Sequence, residues 1–149
     1  MSELILILHS VTRWAVLALS AATAFVTLGA WLRRSAFGVR HGQVARLFVA
    51  SVDLQVLFGM SLYFGVSPLA RAARQLWASE GFTALWADPM LRFFGLIHPA
   101  LALLGATVVH AGWIAARRTD EAPDRHRRLG SAAAVALVIS LAAIPWPFL

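Results

Sequence analysis

His9 and Arg13 stand four positions apart inside the apolar run LILILHSVTRWAVLAL (residues 4–19), so in a helix they share one face. His98 opens a comparable run, HPALALLGATVVH. Ionisable side chains are costly in hydrocarbon and usually mark a site or a pair. Two imidazoles on different helices at one depth suit axial ligation of haem b in a bundle core. Arg13, with Arg92 as a further candidate, would then pair with the propionates, because guanidinium binds carboxylate through two parallel hydrogen bonds. Met60 could replace one histidine in a His/Met pair, although most membrane methionines are packing. Each residue also has a plain structural reading. His9 would hydrogen-bond a loop at the interface, and His98 would cap a carbonyl freed by Pro99.

A second constellation lies deeper. Asp53 follows Arg46 by seven residues and His110 precedes Arg117 by seven, which places each ~10 Å into the apolar layer. A lone carboxylate there needs a partner, and His110 is the natural one, as a structural pair or a proton path. Gln55, two residues from Asp53, falls on a different face. His110 is twelve residues from His98, ~18 Å along the axis, so the two cannot bind one iron. His41 and His126 fall in basic connections and read as solvated.

The elements that position these residues are four apolar runs, at 4–32, 44–66, 91–116 and 129–148. The chain has 149 residues, of which 60% are hydrophobic and 13% charged. Its mean hydropathy is +0.73. Each run can span a ~30 Å hydrocarbon core, and no repeat or second domain interrupts them. The expectation is one all-α domain over 1–149, an integral membrane antiparallel four-helix bundle. Counting ~1.5 Å per residue outward from Arg33 and Arg117 brings His9 and His98 to about the same depth. Below His98, Ala102, Gly105 and Gly112 share nearly one face, where a helix or a flat ligand could approach closely. On the first helix the His9 face continues through Val16, Ser20, Thr23 and Thr27. In the second connection, Ser67-Pro68 and Asp88-Pro89 each read as an N-cap followed by proline. Leu69, Ala73, Leu76 and Trp77 between them predict a short interfacial helix.

The net charge of +6 comes from 13 basic and 7 acidic residues, and the arginines sit between the apolar runs. This bias reflects topology rather than nucleic-acid binding. It places connections one and three in the cytoplasm and both termini outside. The first segment lacks a positive n-region and reads as retained, although Ala22-Thr23-Ala24 resembles a cleavage site. The chain has no cysteine, which excludes disulfides, thiolate metal sites and covalent haem attachment. No nucleophile motif, phosphate loop or HExxH is present.

HSVTRW (9–14), DLQVLFG (53–59) running into LYFGVSP (62–68), RFFGLIHP (92–99) and IPWPF (144–148) resemble a family of small bacterial four-helix membrane proteins labelled cytochrome b-like. The resemblance covers all four spans in order. Relatives can carry histidine at the position of Asp53, so only the outer ligand set is complete here. It extends, more distantly, to di-haem cytochromes b that exchange electrons with quinones. It implies a haem b protein of the bacterial inner membrane passing electrons between quinol and an external redox partner, alone, as a homodimer or in a larger membrane complex. The site would comprise His9 and His98 as ligands, Arg13, Gly105 and Met60 around the cofactor, and Asp53–His110 as proton path or structural pair. A haem-free accessory subunit and a small-solute or metal-ion carrier are the competing readings. Four spans without an inverted repeat are few for alternating access.

Overall fold

The computed structural model describes residues 2–148; Met1 and Leu149, the ends of the expected domain, lie outside the described residues. Helix α1 covers Ser2–Leu32. Helix α2 (Val39–Ser61) runs directly into a π-helical turn, Leu62–Val66. Three short helices follow: α3 (Pro68–Glu80), α4 (Phe82–Ala87) and α5 (Pro89–Arg92). A second π-helical turn, Phe93–Ile97, leads into α6 (His98–Arg117), and α7 covers Ala122–Ala142 before a final 3-10 turn, Trp146–Phe148. Four helical segments are long and apolar enough to cross a membrane: Glu3–Leu32, Val39–Val66, Pro89–Arg117 and Ala122–Phe148. The chain is an all-α, multi-pass four-helix bundle with its apolar exterior against lipid.

The second and fourth spans begin earlier than the hydropathy predicts, at Val39 and Ala122 instead of 44 and 129. The basic connections shrink to residues 33–38 and 118–121, and most of their arginines lie on helical turns. Pro123 and Asp124 sit in the first turn of α7, where proline needs no donor partner and a carboxylate meets the positive end of the helix. The extension corrects the reading of His126. It is wholly buried, because positions 126, 129, 130 and 133 form one stripe of α7 turned inward. Its ring lies 4.6 Å from that of His41 and 5.1 Å from that of Phe37, centroid to centroid.

Helices α1 and α7 share the most extensive seam, followed by α6 with α7 and α1 with α2, whereas α2 and α6 meet more sparsely. Small residues make the tight seams. A Cβ on Gly130 would come within 2.6 Å of Leu28 and 2.8 Å of Thr27 Oγ1 on α1, and one on Gly112 would overlap the Cβ of Ala132 on α7. Gly112 thus serves helix packing, whereas at Gly105 an added Cβ would meet only Ile139 of α7 at an ordinary contact distance, 3.4 Å. The polar face of α1 has the same purpose. Ser20, Thr23 and Thr27 are buried, and Ser20 and Thr27 return their hydroxyl protons to the carbonyls of Leu17 (3.0 Å) and Thr23 (2.6 Å).

At the end remote from the arginine-rich segments 33–46 and 117–128, α3 to α5, which carry Arg71, Arg74 and Arg92, cover the π-helical turns. Ser67 Oγ accepts from Ala70 N (3.2 Å) and Asp88 Oδ1 from Leu91 N (2.9 Å), so both caps form as their sequence predicts. Ala73 packs so closely on Gly95 that a Cβ there would overlap its own. Trp77, Phe82 and Trp86 form a half-exposed aromatic row suited to the headgroup layer.

Alanine normally stabilises a helix relative to glycine by ~1 kcal/mol. Gly112→Ala should do the reverse, destabilising by ~1–3 kcal/mol as α6 and α7 are forced apart. Gly65→Ala, with open space around its Cβ, should be neutral or mildly stabilising. Thermal unfolding of both variants in detergent micelles checks the contrast.

Candidate functional site

The sparse α2–α6 seam leaves a cleft that encloses about 110 Å³ and, with its open mouth, spans about 900 Å³. His9 and Arg13 enter it from α1, Gly59 and Met60 from α2, and His98 and Gly105 from α6, above a wall of valine and alanine. The rings of His9 and His98 stand 6.1 Å apart, centroid to centroid, with their planes at 72°. Sequence depth alone brought these two residues to one level, and the bundle brings them to one cleft.

Each ring is held by a hydrogen bond from another helix. His98 Nδ1 donates to the carbonyl of Ala143 at the end of α7 (2.8 Å), which leaves Nε2 without a hydrogen bond to any described residue. Pro147 stands where the next helical donor to that carbonyl would be, so the imidazole replaces it. In the α register Pro99 withholds its donor from the carbonyl of Gly95, to which Tyr63 OH donates (2.9 Å). His98 thus caps a different helix from the one its own proline breaks. His9 Nε2 lies 3.3 Å from the amide of Gln55, which Thr12 contacts from the other side. With the amide nitrogen toward the ring, Nε2 accepts and the ring proton sits on Nδ1. With the amide turned over, Nε2–H donates to Gln55 Oε1 and Nδ1 keeps a free lone pair, while Thr12, whose proton can go to the Leu8 carbonyl, accepts from the amide nitrogen. His9 Nδ1 stays buried with no partner. Gly59 makes room for the ring, since a Cβ there would lie 3.3 Å from His9 Cε1.

Gln55, Thr12 and Tyr63 were not among the site residues read from the sequence. Gln55 carried a usable signal: an amide in an apolar run needs a partner as Asp53 does. Its partners, Thr12 and His9, lie on the first helix and not on its own.

The surroundings differ in polarity by end. Arg13 lines the cleft with its Nε buried and unpartnered, its guanidinium 5.3 Å from the ring centroid of Trp14. Arg92 does not line it; it donates to the Trp86 carbonyl (2.8 Å) and lies over that indole. Phe93, Phe94 and Phe148 close around His98 at the far end.

Two imidazoles bonding one metal at ~2.0 Å each would have centroids roughly 6 Å apart. The observed spacing is close to that figure, so His9 and His98 are the side chains of the cleft that could hold such a group. Among the described residues no group of three or more His, Asp and Glu is placed to hold a metal ion.

Asp53 and His110 meet as their register on α2 and α6 requires: Oδ1 and Nε2 are 2.7 Å apart. The pair does not lie inside the bundle, however. The side chains are 55% and 45% exposed and neither lines the cleft, whose wall at that level is Val52, Val56, Ala106 and Val109. In a membrane this surface faces hydrocarbon or a neighbouring helix, so each group depends on the other. Asp53→Ala and His110→Ala should each destabilise the bundle, and the double variant should cost less than their sum. A coupling of ~0.5–3 kcal/mol in a double-mutant cycle of unfolding is expected, and additivity would show the contact to be idle.

No family model matches the chain, and neither a curated protein nor a solved structure matches it.

Proposed function

We propose that this protein is a cytochrome b-like electron-transfer protein of the bacterial inner membrane, binding one haem b between His9 and His98. The observation that carries the reading is the pair of rings 6.1 Å apart in an apolar cleft, each with an unengaged nitrogen. Haem b supplies one-electron redox chemistry when bound. The chain's part is to hold and insulate it. His98 presents Nε2, and its Nδ1–H bond to Ala143 O fixes the ring and raises the basicity of the free nitrogen. Gln55 orients His9. Arg13 is the cation available to carboxylates within the cleft. Quinol is the proposed electron donor, since the mouth between α2 and α6 opens toward the lipid phase, and an external redox protein the acceptor.

An absorption spectrum of the detergent-purified protein tests this directly. A haem b Soret band with a sharp reduced α band is expected. His9→Ala and His98→Ala should each abolish the low-spin spectrum, and His110→Ala should leave it nearly unchanged. Arg13→Ala should retain haem with a lowered midpoint potential, because removing a nearby cation favours the oxidised iron. A protein that purifies without haem from haem-replete cells would sink the reading. The accessory-subunit reading would then stand, favoured by the Thr12–Gln55–His9 and His98–Ala143 ties, which lock helices together without any cofactor.

The proposed orientation follows from the excess of arginines at one end of the bundle, among them Arg33, Arg34, Arg40, Arg117, Arg118 and Arg128, over Arg71, Arg74 and Arg92 at the other. That end is cytoplasmic and both termini are periplasmic. A reporter fused after Leu149 that works only in the periplasm should be active, and one that works only in the cytoplasm silent.

A further inference from the structure

A second pocket lies at the opposite end of the bundle, between α2, α6 and α7, with a volume of about 310 Å³. Three guanidinium groups line it, Arg46, Arg117 and Arg125, together with Phe37, Trp113 and Leu129. Among the described residues none of the three has a carboxylate within 4.0 Å. The ion pairs nearby belong to Asp124, whose two oxygens are taken by Arg127 (3.2 Å) and Arg128 (3.6 Å). Two of the three are held in place by other means. Arg125 donates Nε–H to the Ala116 carbonyl (3.3 Å) and lies 5.0 Å from the Phe37 ring centroid, and Arg117 lies 5.8 Å from that of Trp113.

Three like charges around one pocket repel one another, and among the described residues none of them is paired with a carboxylate; Asp120, Glu121 and Asp124 of the adjoining segment do not reach within 4.0 Å of these three. Arginine forks match the geometry of phosphate oxygens. The pocket also sits where two apolar spans end, beneath an indole and beside Leu129 and Ala116, at the depth of lipid headgroups. Its lining is therefore amphiphilic, cationic toward water and apolar toward the bilayer. We propose that this pocket binds the phosphodiester headgroup of an anionic phospholipid. Surplus positive charge selects against a zwitterionic headgroup, whose own cation would meet guanidinium groups, and the apolar wall selects for a ligand that carries acyl chains. This site is independent of the haem reading.

Native mass spectrometry of the delipidated full chain, titrated with dioleoylphosphatidylglycerol or dioleoylphosphatidylcholine, reads the proposal out. A retained one-to-one adduct is expected with the glycerol lipid and little with the choline lipid. Arg117→Gln/Arg125→Gln should weaken the adduct roughly tenfold or more. Arg40→Gln/Arg118→Gln removes the same charge from the same end outside the pocket and should leave it unchanged. Should the glutamine pair fail to fold by circular dichroism, Arg117→Lys/Arg125→Lys keeps the charge and loses the forks, and should still weaken binding. Equal retention of the two lipids, or equal weakening by the control pair, would overturn the site. Displacement of the lipid by inorganic phosphate at equimolar concentration would reassign it to a soluble anion and refute the lipid proposal.

Discussion

The bundle depends on how closely α7 can approach its neighbours. In a membrane, helices gain nothing by hiding apolar surface from lipid that is equally apolar, so close packing of small residues and a few polar contacts must hold them. Helix α7 presents Gly130, Ala133 and Ala136 to α1 and Ala132 to Gly112 of α6. These contacts draw α1, α7 and α6 together along their length. Helix α2 attaches to α1 and leaves its other flank loosely against α6. The cleft is the geometric remainder of that asymmetry: α1, α7 and α6 close on one another, and α2, tied mainly to α1, leaves the fourth seam open.

The same economy governs the polar groups. Backbone carbonyls without donors are expensive in hydrocarbon, and Pro99 and Pro147 each withhold a donor from the preceding turn. Tyr63 supplies the missing donor at Gly95 and His98 supplies it at Ala143. Both bonds join different helices, so repairing a backbone defect also fixes the bundle's far end. The π-helical turns that precede His98 and contain Tyr63 place these two side chains where the repairs are needed. His98 is thus rigid before any ligand arrives, which is the condition a metal-binding imidazole must meet.

What could be read from the sequence follows from which quantities depend on axial position alone. The four-helix membrane fold is set by hydropathy. The levels of His9 with His98 and of Asp53 with His110 are set by counting residues from the arginines, and both pairs meet. Rotation about the helix axis was harder to read. The small face of α1 and the glycines of α6 are consistent with a ligand or a helix: α7 packs on Thr27 and Gly112, while Val16 and Gly105 line the open cleft. Asp53 and His110 reached the right depth but face outward, because depth says nothing of which side of a helix is covered. His126 was missed for another reason: a hydropathy window ends α7 at its charges, whereas the helix continues through them and carries the histidine inward.

The two ends of the molecule pose opposite electrostatic problems. At the basic end the guanidinium groups border water and headgroups, so their charge is screened and many can coexist. Arg13 has no such relief. Its Nε is buried, its cleft is lined mostly by aliphatic side chains, and among the described residues no carboxylate lies within 4.0 Å of it. The Trp14 ring offsets only part of that cost, because a cation–π contact contributes ~1–2 kcal/mol while desolvating a cation costs several. An acceptor brought into the cleft would therefore gain more from Arg13 than from any arginine of the basic end. Histidine nitrogens that need an electrophile and a guanidinium that needs an anion lie one helical turn apart, and one ligand carrying both features would satisfy them together.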